Sequence, residues 1–355
     1  MKINNCTNMI NSLECDALLL LNESNMHYLC GFSPSEGAVL LLKDGNGYHF
    51  VDSRYTEEAE NYAKETGLKV IEITSKFTDE VADICKKHNV QKIALENETI
   101  SLKAYNAYKE ATGCKFADID SKLMRIRNVK SADEIELMKQ ANSIAEKSFI
   151  ELLNYVEAGK TEKELQSCFD YLMAKNGSDG LSFSTILLTG AHTSLPHGVP
   201  SDKVIHNGDF VLFDFGATYK GYHSDMTRTI AVGSATDEMK EMYSLVLNAQ
   251  LAGIGALKNG VKCSDVYQAA YDVLEEKHMG KYFRHSLGHG VGLDIHEGFS
   301  SSPKSEDIYE VGNVTSVEPG IYIPNKFGIR IEDVCIVTEN GCENISTVDK
   351  SLLII

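Results

Sequence analysis

From residue 131 onward the sequence runs through one pattern twice, about a hundred residues apart. Residues 133–177 read as two helices broken at Gly159, and residues 237–280 as two helices broken at Gly260. Ser131 with Glu134, and Thr161 with Glu164, have the spacing of capping boxes, in which hydroxyl and carboxylate satisfy the exposed N–H groups of a helix start. Ile135, Met138, Ala141, Ala145, Phe149 and Leu152 recur at helical spacing. β-rich sequence follows each helix pair: 183–188, 210–217 and 227–232 in the first copy, 313–323 and 328–337 in the second. Asp214 and Glu318 fall at matching places, as do Asp225 and Glu332. A duplicated ααβ unit would bring one pair of acids from each copy to its centre, on a pseudo-twofold axis. A chance repeat of a helix–turn–helix pattern is the alternative, and acids on both matched strands argue against it.

The first 122 residues have a different rhythm. Short apolar segments at 17–21, 38–42, 48–51, 69–73, 92–95 and 115–117 read as strands, and 54–65, 78–88 and 102–111 as amphipathic helices. Such alternation predicts an α/β domain with a mixed or parallel sheet. No Gly-x-Gly-x-x-Gly follows a strand, so a dinucleotide site is not indicated. A short polar stretch, 124–130, separates this region from the repeats and sets domains of 1–125 and 126–355.

Composition narrows the partners. The formal net charge is −17 with no Lys/Arg block, which argues against nucleic acid or an anionic membrane as partner. An acidic surface suits a cationic substrate such as a free peptide amino terminus, or simply aids solubility. Nine scattered cysteines without a Cys-x-x-Cys fit reduced thiols in a cytoplasmic protein. The polar, Asn-rich N-terminus does not read as a signal peptide, and no apolar run is long enough to span a bilayer.

Asp214 sits within Phe210-Val211-Leu212-Phe213-Asp214-Phe215-Gly216-Ala217. An acid in so apolar a strand is costly unless it is paired, hydrogen-bonded or metal-bound, and alone it leaves a buried salt bridge and a metal ligand both open. Asp225 follows after a polar turn, a spacing that suits a hairpin presenting both acids to one site. Glu318 precedes Pro319-Gly320 in another apolar strand. Alternation puts Arg330 and Glu332 on one face of theirs, where they could form a local ion pair or a braced ligand. His285, His289 and His296 cluster in a stretch interrupted by Gly288, Gly290 and Gly292, which disfavours a helix and lets backbone approach a ligand closely. His197, in Leu195-Pro196-His197-Gly198, is a loop histidine that would be unremarkable alone. Four acids and one imidazole, Asp214, Asp225, His289, Glu318 and Glu332, supply the donors that two hard divalent cations need. Two such cations about 3.5–4 Å apart can bridge a hydroxide and polarise a carbonyl. No Gly-x-Ser-x-Gly and no His-Glu-x-x-His competes.

These residues carry a resemblance. Asp214-Phe215-Gly216-Ala217, Gly221-Tyr222-His223-Ser224-Asp225-Met226-Thr227-Arg228-Thr229, Gly288-His289-Gly290-Val291-Gly292-Leu293-Asp294-Ile295-His296-Glu297, Glu318-Pro319-Gly320-Ile321-Tyr322 and Ile329-Arg330-Ile331-Glu332-Asp333 resemble the Xaa-Pro aminopeptidase and prolidase family of pita-bread metallopeptidases. Tyr28-Leu29-Cys30-Gly31-Phe32 and Val51-Asp52-Ser53-Arg54-Tyr55 resemble that family's creatinase-like N-terminal domain. Methionine aminopeptidases share the ligand pattern but lack such a domain, and creatinases share the architecture but lack the ligands.

The resemblance implies an α/β creatinase-like domain followed by an α+β pita-bread catalytic domain. It implies that Asp214 chelates one metal, that Asp225 and Glu332 bridge both, and that His289 and Glu318 hold the other, with Glu318 also moving protons. His197 and His296 would contact substrate carbonyl groups and the developing oxyanion. His285 would line the proline pocket, and Arg330 would brace the ligand strand. The implied cofactors are two divalent ions, manganese first, cobalt possible as a substitute and zinc less suited; the implied substrate is a peptide with proline in second position, and the implied assembly a homodimer. Two departures stand out. His192 replaces a usual Asn in the loop before His197. After His296-Glu297 the chain has Gly298-Phe299-Ser300-Ser301-Ser302, where some prolidases carry an Arg for the dipeptide carboxylate, and Lys304 is the nearest cation in sequence. The missing anchor tilts the expectation to an aminopeptidase on longer peptides, with a prolidase as the alternative.

Overall fold

A computed structural model describes residues 2–355. The chain forms two compact units, one ending at Arg127 and the other running from Asn128 to Ile355.

The N-terminal unit is built on a six-stranded mixed sheet. Its centre is the antiparallel pair Ala17–Leu20 and Gly37–Leu42, both almost wholly buried, as their unbroken apolar sequences require. Gly47–Val51 pairs antiparallel with the second of these, while Lys69–Glu72, Lys92–Leu95 and Lys115–Asp118 join in parallel. Helices Thr56–Thr66, Phe77–Lys87 and Leu102–Thr112 fall within a few residues of their expected positions. Three helices were not foreseen. Lys2–Ser12 places Ile3, Cys6, Met9 and Ile10 at helical spacing among asparagines, a pattern the sequence reading passed over; Glu23–Cys30 is too short to show a period, and Asp120–Asn128 replaces part of the expected polar stretch. That last helix buries only Leu123 and Arg127, so its sequence reads as a linker.

The C-terminal unit shows the duplication. Ala132–Leu152 and Glu162–Lys175 form the first helix pair, and both expected capping boxes are present. Asp237–Ala256 and Cys263–Glu275 form the second. Each pair has its own core. Phe149 and Phe169 pack on Phe213 and Phe215 in the first half, with the rings of Phe169 and Phe215 4.6 Å apart. Val246, Ala249 and Val266 pack with Val317, Ile321 and Ile329 in the second. Phe210–Phe215 lies between Ile186–Thr189 and Met226–Ala231, antiparallel to both. In the second half Val314–Val317 lies between His289–Gly290 and Asp333–Val337 in a five-stranded sheet, and Gly320–Ile323 pairs with Phe327–Arg330.

The two long strands expected in the second half are each broken. Strand 313–323 is interrupted at Glu318-Pro319 and strand 328–337 at Ile331-Glu332. Both acids therefore sit at kinks, where the backbone turns its polar groups away from the ladder.

Candidate metal centre

All nine residues singled out from the sequence line one cavity of about 670 Å³: His197, Asp214, Asp225, His285, His289, His296, Glu318, Arg330 and Glu332. The ladder puts Thr227 directly opposite Asp214, which brings the residues just before Thr227 alongside the first acid. Glu318 is seated by its N–H on the Leu287 carbonyl at 2.7 Å, and Glu332 by its N–H on the Thr227 carbonyl at 3.1 Å. The second contact locks Glu332 of one half onto a strand of the other.

Donor atoms of Asp225, His289 and Glu332 lie within 4.8 Å of one another. His289 Nε2 is 3.5 Å from Asp225 Oδ2 and 3.4 Å from Glu318 Oε1. Its other nitrogen, Nδ1, is 3.1 Å from the Gly290 carbonyl, which takes the N–H and leaves the Nε2 lone pair facing the acids. Burial, with His296 beside it, lowers the His289 pKa to about 4, so the ring is neutral as a ligand must be. The segment carrying His289 fits only with glycines around it. A Cβ on Gly288 would stand 1.9 Å from the Ser316 carbonyl oxygen, and one on Gly290 2.2 Å from that of Glu297.

The charges fit divalent cations. Five carboxylates, Asp214, Asp225, Glu297, Glu318 and Glu332, line this cavity around one guanidinium, Arg330, which is 3 % exposed. Burial comes first among the causes that raise the pKa of Asp225, followed by Asp214 and Glu318; burial and then Asp225 do the same for Glu332. Burial also pushes Glu318 up to about 8. Acids forced together in this way hold protons that a divalent ion would displace, and the oxygen-rich set with one imidazole suits a hard cation.

Arg330 does not pair locally with Glu332, one reading the sequence left open. Its Nη2 bonds Asp214 Oδ2 across the two halves, Nε donates to Thr227 Oγ1 at 3.0 Å, and Nη1 donates to Tyr322 Oη at 2.6 Å. Thr227 Oγ1 in turn donates to Glu332 Oε2 at 2.7 Å. Tyr322 Oη lies 3.1 Å from His285 Nε2, and His285 Nδ1 lies 2.8 Å from the Ser286 carbonyl. Burial, then Arg330, lowers the His285 pKa to about 3 and keeps this ring neutral too.

His197 and His296 differ from Asp214, Asp225, His289, Glu318 and Glu332 in being exposed. The His296 ring packs edge-on to His289 with centroids 4.2 Å apart. The next residue, Glu297, is buried against Lys130 at 2.6 Å, both side chains 1 % exposed. Sequence reasoning passed over Lys130, Thr227, Tyr322 and Ser316, whose hydroxyl accepts from the His289 N–H at 3.1 Å. Thr227 and Tyr322 stand inside the quoted motifs. Lys130 gave no signal, because its partner is 167 residues away.

The profile described as "Metallopeptidase family M24" matches residues 136–339, and that described as "Creatinase/Prolidase N-terminal domain" matches residues 2–129. An Xaa-Pro dipeptidase of Pyrococcus furiosus is 37% identical over 339 residues, 95% of each chain. A solved structure titled Xaa-Pro dipeptidase from Bacillus anthracis superposes with a TM-score of 0.95 at 39% identity, covering 100% of this chain and 99% of that one. One titled X-Pro aminopeptidase from Thermotoga maritima superposes at 0.93 and 37% identity, covering 98% and 100%. The chain belongs to metallopeptidase family M24, with a creatinase-type N-terminal domain and a pita-bread C-terminal fold. It is a peptidase, and its substrates are peptides.

Proposed function

We propose that the chain is a two-metal Xaa-Pro aminopeptidase that removes the residue before a penultimate proline. The observation that carries this reading is the meeting of Asp214 and Asp225 from one half with His289, Glu318 and Glu332 from the other on a single cavity. Asp214 would chelate one cation, Asp225 and Glu332 would bridge both, and His289 with Glu318 would hold the second. The donor set supports manganese, with cobalt able to replace it and zinc less suited. Such a pair supplies Lewis acidity that activates water and polarises the scissile carbonyl. Glu318 accepts the proton that the attacking water gives up and passes one to the leaving proline nitrogen. His197 and His296, exposed in the same cavity, donate hydrogen bonds to the substrate carbonyl and the oxyanion that grows from it. His285, held by Tyr322 and the Ser286 carbonyl, presents a fixed ring face to the proline. Arg330 braces Asp214.

The fixed φ and missing N–H of proline deny an enzyme the usual strand-like docking, so a shaped pocket must replace it. The cavity's cation, Arg330, is committed to Asp214, Thr227 and Tyr322. A dipeptide's terminal carboxylate therefore meets no uncommitted positive group among the described lining residues, which favours longer peptides. The dipeptidase names of two relatives favour the second reading, a prolidase with the same site. We assign 1–125 to the creatinase-like domain and 126–355 to the catalytic domain. We place the enzyme in the cytoplasm as a homodimer; nine free cysteines support a reducing compartment.

The test compares Ala-Pro with Ala-Pro-Ala under Mn²⁺, then after chelation and return of Mn²⁺, Co²⁺ or Zn²⁺. Faster cleavage of the tripeptide is expected, together with loss on chelation and recovery with Mn²⁺. Cleavage of the dipeptide alone would establish the prolidase, and full activity after thorough chelation would end the metal mechanism.

A further inference from the structure

The loop that carries His197 is tied at both ends by one buried carboxylate. Glu162 stands at the start of the helix Glu162–Lys175 and is 0 % exposed. Its Oε1 accepts from the Thr189 N–H at 2.8 Å. Its Oε2 accepts from the Ser201 N–H at 2.8 Å and from the Ser201 hydroxyl at 2.7 Å. Between these two ends, His192 Nδ1 lies 2.8 Å and 3.0 Å from the same two oxygens. An ionised carboxylate only accepts, so Nδ1 carries the proton. Four donors from positions 189, 192 and 201 thus converge on one side chain. The stretch between them holds Pro196 and His197 in the cavity lining.

No hydrogen bond among the described residues reaches the His197 ring, so its place is the place of this loop. Other contacts orient the loop against the second half. Thr193 Oγ1 accepts from the Gly328 N–H at 2.7 Å, and a Cβ on Gly198 would fall 2.6 Å from Leu188. The Glu162 carboxylate closes the loop; these contacts aim it.

We propose that Glu162 and His192 are positioning residues for His197, acting on the reaction through the loop 189–201. The inference rests on the role given to His197 above. Neither side chain lines the cavity, so neither touches substrate. A side-chain amide at position 192 could supply the same donor to the Glu162 carboxylate. Cutting this clamp frees the loop and withdraws His197 from the transition state. A misplacement of about 1 Å in such a group costs on the order of 100-fold.

A double-mutant cycle on the manganese-loaded full chain tests this, with kcat and KM measured on Ala-Pro-Ala for wild type, E162Q, H197A and E162Q/H197A. E162Q should lower kcat by about 10- to 100-fold with a smaller change in KM. The double variant should be no slower than H197A to within ~2-fold, because the clamp has nothing left to position. H192A should behave like E162Q, and H192N should recover most of its loss. Losses in E162Q and H197A that multiply would overturn the proposal, as would an E162Q enzyme with wild-type kcat. Should E162Q fail to fold, H192A takes its place in the same cycle, and multiplying losses there overturn the proposal equally. An inactive wild type would instead refute the peptidase reading, and a fully active H197A the role of that histidine.

Discussion

Buried carboxylates occur in two opposite settings, one exemplified by Glu96 of the N-terminal unit, the other by the acids of the cavity in the C-terminal unit. Glu96 in the N-terminal unit is 0 % exposed, yet it is surrounded by donors: the Leu21 and Asn22 N–H groups at 2.6 and 3.0 Å and Asn25 Nδ2 at 2.6 Å. It ties the end of one strand to the start of a helix. Asp225, Glu318 and Glu332 in the C-terminal unit face other acids: Asp225 faces Asp214 and Glu318, Glu332 faces Asp225, Glu318 and Asp214, and Glu318 faces Asp214. A buried acid satisfied by N–H groups is part of the framework, whereas buried acids that face each other mark a site awaiting positive charge. Burial alone does not separate the two cases; the identity of the neighbours does.

The comparison can be broken at several points. Glu318→Ala should cut turnover by at least ~10³-fold, since on the roles proposed above it removes a ligand and the proton carrier together. A variant with near-normal rate on Ala-Pro-Ala would return Glu318 to the framework class. Lys130→Met strands Glu297 without its cation and should cost about 3–5 kcal/mol in urea unfolding. An unchanged midpoint would show that the pair adds nothing. Glu96→Gln turns a pure acceptor into a group with two donors facing donors. It should cost about 1–3 kcal/mol of stability and leave the rate per folded molecule unchanged. Asp225→Asn should do the reverse, abolishing activity while stabilising the chelated protein by about 1 kcal/mol through relief of repulsion. Destabilisation of the chelated variant would contradict the account of that cluster.

A pH-dependent effect concerns His49, which is 2 % exposed and whose Nε2 has no hydrogen-bond partner. Burial lowers its pKa to about 4. The unfolded chain then binds more protons between roughly pH 6.5 and the folded value, so stability falls as pH drops through that window, by at most ~1.4 kcal/mol per unit. In His49→Phe the slope should flatten; an identical slope would assign it to other groups.

Much of this was legible in the sequence, for identifiable reasons. The repeat was readable because capping boxes and apolar periods recur at fixed spacing. The donor set was readable because acids in apolar strands are expensive anomalies. The kink at Glu332 was not, because alternation runs on through Arg330, Ile331 and Glu332; the kink at Glu318 did carry a signal, Pro319-Gly320, which was passed over. The partner of Arg330 was missed because sequence proximity offered Glu332 while the fold delivered Asp214. Lys130 and Glu162 were missed because their partners are set by tertiary contacts alone. Helix Asp120–Asn128 was hidden by a polar sequence that buries two side chains.

The bond from the Glu332 N–H to the Thr227 carbonyl joins strands that belong to different repeats. Neither repeat therefore owns the whole cluster, and an isolated half would carry only some of its acids with nothing to complete them. Catalysis becomes a report on whether the whole catalytic unit has assembled. A single backbone nick that lets the halves drift by an ångström or two would silence the enzyme long before either core melted.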